Sequence, residues 1–188
     1  TDYSRFKADC ELILAKYQSP EFTTVTIRPA TVCGYSPRQR LDVVVNILTN
    51  LAFHKRQITV FGGKQLRPNI HIADMVDAYL VLLRAPPEKI AGEVFNAGFE
   101  NQSVLELAET VQRVVGDDVK LVATPTNDNR SYHISSSKIA TELGFVPKHT
   151  IQEAAEELKR AFESGLLPNS LEDEQYFNIK RMQSLELK

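Results

Sequence analysis

An α/β fold is predicted by three features of this 188-residue sequence. Short β-branched runs alternate with segments whose apolar residues recur every three or four positions. Glycine and proline punctuate nearly every change of period. Strands and helices therefore alternate along the chain, the pattern of an α/β protein.

Each element follows from its residues. Phe6, Cys10, Ile13, Leu14 and Tyr17 recur at helical spacing over 4–17, and Ser19-Pro20 ends that run. Residues 23–28, Thr-Thr-Val-Thr-Ile-Arg, read as a strand closed by Pro29. Residues 34–40 hold Gly34, Pro37 and three basic or amide side chains, and read as a loop. A helix over 41–54 places Val44, Val45, Leu48, Leu51 and Ala52 on one side. Residues 57–61 form a strand stopped by Gly62-Gly63, and 70–72 form a brief extended piece.

A helix over 74–84 is halted by Pro86-Pro87, and 93–97 read as a strand before Gly98. Ser103 and Glu106 have the spacing of a capping box for a helix that stops at Gly116. A strand over 119–123, a short helix from Ser136/Ser137 to Leu143, and a helix capped by Thr150 and ended by Gly165 complete the order. Residues 166–188 read as a polar, irregular tail.

Composition narrows the function. The chain is 43% hydrophobic and 24% charged, with a net charge of −2. No basic field points to nucleic acid, and no Lys/Arg run points to an anionic membrane. No apolar stretch nears the roughly 18 residues of a membrane span. The opening residues are polar and charged, unlike a signal peptide. Cys10 and Cys33 have no metal-ligand spacing and read as small buried hydrophobes in a reduced, cytoplasmic setting. No metal cluster is evident.

Tyr3 and Lys7 are the first residues with chemistry to offer. Four positions apart on a helix, they share one face. An ammonium beside a phenol favours the phenolate, which can act as a base. The spacing alone is weak, because Tyr176 and Lys180 repeat it in the polar tail.

The order of segments is more specific. Tyr3-x-x-x-Lys7 is followed by Ile27-Arg28-Pro29-Ala30-Thr31-Val32-Cys33-Gly34 and by Ile58-Thr59-Val60-Phe61-Gly62. Then come Arg67-Pro68-Asn69-Ile70-His71-Ile72-Ala73-Asp74 and Glu93-Val94-Phe95-Asn96-Ala97-Gly98. Together, over residues 1 to about 165, these resemble the extended short-chain dehydrogenase/reductase family, the NAD-dependent nucleotide-sugar epimerases and dehydratases.

The resemblance implies the C-terminal part of a Rossmann-like NAD(P)-binding domain plus the smaller α/β substrate-binding domain. Residues 1–33 and 71–100 would belong to the first, and 34–70 and 101–165 to the second. Tyr3 would be the catalytic base or acid, and Lys7 would hydrogen-bond the nicotinamide ribose. Pro29, Ala30 and Val32 would lie along the nicotinamide of NAD or NADP. Arg40 and Leu41 would approach the diphosphate of a nucleotide-diphosphate sugar. Thr59, Val60 and Phe61 would line the base pocket, with Arg67 and Arg130 on phosphate or ribose.

Simpler roles compete at several of these positions. Arg40, Arg67 and Arg130 could be solvated arginines, and Phe61 could be plain core. His71 and Asp74 read as structural, with Asp74 accepting backbone N–H groups at a helix start. Cys33 stands where the family often has Tyr, and Pro68 where many members have Asp.

The family's glycine-rich phosphate turn, acidic ribose partner and Ser/Thr beside the catalytic Tyr are not found here. The sequence thus reads as the C-terminal portion of an epimerase. A 4,6-dehydratase, a non-catalytic module completed by another polypeptide, and a dimer-forming fragment remain open.

Overall fold

A computed structural model describes residues 2–127 and 130–185. Helix α1 (Asp2–Ala15) leads to strands β1 (Val25–Pro29) and β2 (Thr31–Cys33), helix α2 (Val44–Lys55) and strand β3 (Gln57–Phe61). Strand β4 (Leu66–His71) runs into α3 (Ile72–Arg84), a single turn α4 (Pro87–Ile90), and strands β5 (Glu93–Ala97) and β6 (Glu100–Ser103). Helix α5 (Val104–Val115), strand β7 (Lys120–Thr124), and helices α6 (Ser137–Leu143) and α7 (Ile151–Glu163) follow. A 3-10 turn (Glu174–Tyr176) and helix α8 (Asn178–Ser184) close the described chain.

The strands form three small sheets. β1 pairs parallel with β5, Ile27 opposite Phe95. β3 pairs parallel with β7, Thr59 opposite Val122. β4 lies between β2, to which it is parallel, and β6, to which it is antiparallel. Parallel strands need crossover helices, and the alternating chain provides them.

Three apolar clusters hold these pieces. One face each of α2, α5 and α7 closes over β3, burying Val45, Leu48, Ile58, Leu107, Val111 and Ala154. The inner face of α3, with Met75, Ala78 and Leu82, packs with Phe95 and Ala97 of β5, and Ile139 and Phe145 cover the same core. Leu41, Leu158, Phe162, Leu167 and Tyr176 make the third cluster. Both helix starts with the Ser/Thr-x-x-Glu spacing form capping boxes, Ser103 with Glu106 and Thr150 with Glu153.

The structure departs from the sequence reading in several places. β2 and β6 were not anticipated: β2 is three residues long, and β6 (Glu-Asn-Gln-Ser) is polar, held by its pairing to β4 rather than by propensity. Residues 166–185 are not an irregular tail, because Leu167, Ser170 and Tyr176 are buried and 178–184 are helical. Cys33 is buried as expected, but Cys10 is exposed. Asp74 does not serve its own helix start; its two oxygens accept from the backbone N–H groups of Lys148 and His149, each at 2.9 Å.

Helix α1 buries none of its residues, and Tyr3, Phe6 and Ile13 are exposed. Arg28 Nε donates to Glu11 Oε1 at 2.8 Å, tying α1 to β1. No helix among the described residues is long and apolar enough to cross a membrane.

Candidate functional site

A cleft of about 290 Å³ opens where β1 and β2 end, between the loop over 34–40 and helix α3. The strands deliver Pro29, Val32 and Cys33 to it. The loop delivers Arg38 and Arg40, and α3 delivers Ile72, Met75 and Tyr79. One side is thus apolar and the rim carries two guanidinium groups.

The turn into the loop requires glycine. Gly34 has φ +105, and a Cβ there would stand 3.1 Å from His71 Nε2 and 3.2 Å from Ile72 Cγ2. Two buried amides then staple the loop. Gln39, 4% exposed, accepts from the Ser36 N–H at 3.0 Å and donates to the Gly34 and Arg40 carbonyls. Asn46, 3% exposed, accepts from the Gly34 N–H at 3.2 Å and donates to the Arg40 carbonyl at 2.8 Å. Buried amides satisfied at both ends make a loop of defined shape.

The two arginines are held from behind. Arg40 Nε donates to Asp42 Oδ1 at 2.9 Å. Asp42 Oδ2 accepts the Asn178 N–H at 2.9 Å. Burial pushes the Asp42 carboxyl up, but the Arg40 guanidinium and the Asn178 N–H outweigh it and hold the group below its ordinary range. Arg38 donates one guanidinium N–H to Asn178 Oδ1 at 3.1 Å.

Cys33 is not a nucleophile in this cleft. Burial first, then the negative field of Glu100 and Glu157, pushes its thiol up to about 12. Its Sγ lies 3.4 Å from the Ile70 carbonyl.

Of the residues singled out in the sequence, Pro29, Val32 and Arg40 meet in this cleft. Ala30 lies behind it, buried beside Gly98. Leu41 and Val60 are buried core side chains, of the third and first clusters. Thr59 is half-buried, and Phe61, at the end of β3, is 55% exposed. Arg67 and Arg130 are brought together away from the cleft lining. Arg67 Nη1 donates to the Arg130 carbonyl at 2.5 Å, and its guanidinium sits 5.5 Å from the Tyr132 ring centre.

Tyr3 and Lys7 occupy the exposed face of α1 and do not line the cleft; Tyr3 is 73% exposed. Arg38, Asn46 and Tyr79 were not singled out. The Arg-x-Arg spacing at 38–40 was the available signal for the first. Asn46 and Tyr79 sit in helical patterns that carry no signal of a ligand.

His71 is structural, as expected. Its Nδ1 accepts the Ala73 N–H at 3.1 Å and caps α3, and Nε2 meets Glu157 Oε2 at 3.1 Å. Larger depressions exist, one of about 700 Å³ between α3 and α6, but it holds none of these residues. Among the described residues, no group of three or more His, Cys, Asp or Glu could hold a metal ion.

The family model described as "NAD dependent epimerase/dehydratase family" matches residues 1–98. A UDP-glucose 4-epimerase from Lactobacillus helveticus is 29% identical over 117 residues, 57% of this chain and 36% of that protein. A dTDP-glucose 4,6-dehydratase from Streptomyces niveus is 30% identical over 152 residues, 78% of this chain and 44% of that protein. The matches thus span less than half the length of these curated relatives.

Among solved structures, UDP-glucose 4-epimerase of Thermotoga maritima with UDP-glucose superposes with a TM-score of 0.73 at 25% identity, covering 85% of this chain and 52% of that one. dTDP-glucose 4,6-dehydratase of Bacillus anthracis in complex with NAD gives 0.71 at 23% identity over 87% of this chain and 52% of that one, a likeness of fold.

Proposed function

The chain belongs to the NAD-dependent epimerase/dehydratase family of extended short-chain dehydrogenases/reductases, and from that premise we propose that it carries the sugar-binding side and the acid/base pair of a nucleotide-diphosphate-sugar epimerase. One observation carries the reading: Arg38 and Arg40 stand at the rim of a cleft whose wall is Pro29, Val32 and Met75. Two planar cations suit the oxygens of a diphosphate, and an apolar wall suits a flat ring.

The residues fit one end of NAD. Pro29 and Val32 offer the wall for a nicotinamide, and Lys7 would hydrogen-bond the adjoining ribose. NAD, when bound, would supply the hydride acceptor for the sugar carbon. Tyr3 removes the proton from the hydroxyl on that carbon, leaving a keto-sugar. The arginines would keep the diphosphate anchored while the keto-sugar turns its other face; the hydride taken from the carbon would return to that face as Tyr3 gives the proton back to the oxygen. The pyrophosphate of the dinucleotide is held, in this reading, by a segment other than those described. The exposed apolar residues of α1, Tyr3, Phe6 and Ile13 among them, mark that helix as a surface for another segment or chain. A 4,6-dehydratase would share every role named here and add an elimination step.

Titration with UDP-glucose tests the reading. Binding should occur and should weaken about tenfold in Arg40→Ala, the cost of a charge-assisted contact. With the NAD-binding portion supplied, Tyr3→Phe should lower turnover by roughly two to four orders of magnitude. Absence of nucleotide-sugar binding even with that portion present would overturn the assignment. Tight NAD binding by this chain alone would refute the divided cofactor site.

A further inference from the structure

The C-terminal segment lies over the back of the cleft loop and is bonded to it at three points. The Leu41 N–H donates to the Tyr176 carbonyl at 2.9 Å. The Asn178 N–H donates to Asp42 Oδ2 at 2.9 Å, and Arg38 donates to Asn178 Oδ1 at 3.1 Å. Tyr176 is buried in the third cluster beside Leu41, which anchors the segment. These bonds fall at 38, 41 and 42, on either side of Arg40, which Asp42 holds directly at 2.9 Å.

We propose that Tyr176–Asn178 form a positioning strap that sets the Arg38/Arg40 pair for a diphosphate ligand; the ligand half of this rests on the function proposed above. Arg side chains lose much rotamer freedom when they are fixed on a ligand. A strap that orders them before binding raises affinity without touching the ligand. Asn178 is the pivot, because its backbone serves Asp42 and its side chain serves Arg38.

Asn178 also permits a clean substitution. It is the first residue of α8, where proline is tolerated, and Phe177 has φ −126 and ψ 103, an extended conformation of the kind that precedes proline. Asn178→Pro deletes both the donor and the acceptor and leaves the helix. Asn178→Ala deletes the acceptor alone, and Asn178→Asp keeps both.

The experiment measures thermal stability, amide exchange of peptides containing Leu41, and binding of UDP and of uridine. We expect Asn178→Pro to keep its fold, to speed exchange at Leu41, and to weaken UDP binding on the order of tenfold. Uridine binding should not change. Asn178→Ala should lose about threefold, and Asn178→Asp should match the native chain. Unchanged exchange at Leu41 in the proline variant overturns the strap, as does equal loss of UDP and uridine or a defect in Asn178→Asp. Failure of the native chain to bind UDP would instead overturn the functional reading, and exchange at Leu41 alone would then decide the strap.

Discussion

His71 and Glu157 meet through Nε2 and Oε2 at 3.1 Å, across 86 residues of chain. Because His71 Nδ1 accepts the Ala73 N–H, the ring proton is on Nε2 and points at the carboxylate. One imidazole thus caps α3 and joins it to α7. Its 2% exposure leaves no water to replace either bond. His71→Ala should cost about 2 kcal/mol, the sum of a lost cap and an interior hydrogen bond. His71→Asn, whose oxygen can still cap, should recover about half of that. Urea unfolding of the two variants measures the difference.

Tyr176→Ala tests the anchoring of the C-terminal segment. The ring is buried against the third cluster, so its removal leaves a cavity worth about 3 kcal/mol. A segment that merely trails from α7 would lose nothing measurable. Chemical denaturation separates the outcomes.

Thiol labelling distinguishes the two cysteines. Cys10 is exposed on α1 and should react promptly with an aromatic disulfide reagent at pH 8. Cys33, buried and pushed up to about 12, should react only after unfolding. One thiol per chain in native buffer and two in denaturant is the expected count.

Asp42 gives stability an acid limb. Its folded pKa is held below the ordinary carboxylate value of about 3.9, so the unfolded chain takes up the proton first as pH falls. The contribution is complete above about pH 4 and disappears as pH drops through the folded value. Asp42→Asn should therefore differ from the native chain at about pH 6 and differ less from it at about pH 3. Urea midpoints at the two pH values check this.

Much was legible in local chemistry. Capping boxes, the glycine stop at Gly116 and the β-branched runs are decided by neighbours in sequence, and the structure has them where the residues put them. The same is true of α3, which ends before Pro86-Pro87 as those residues predict. The family motifs also lie close together in sequence, so their order could be read directly. β6 was not legible because a polar strand forms only when its partner is present. The role of Asp74 was misread for the same reason. A carboxylate at a helix start has an obvious local use, yet here the Lys148 and His149 N–H groups compete and win from 74 and 75 residues away.

The sequence by itself determined the α/β class, the family, and which residue types could carry acid/base and phosphate chemistry. Those follow from periodicity, caps and motif order, all short-range. Only the tertiary structure decided which of those residues share a cleft. It grouped Pro29, Val32 and Arg40, added Arg38, withdrew the Leu41 and Val60 side chains into the core, and placed the C-terminal segment behind the loop. Such choices depend on long-range burial and on hydrogen bonds between distant segments, such as Arg38 to Asn178 across 140 residues.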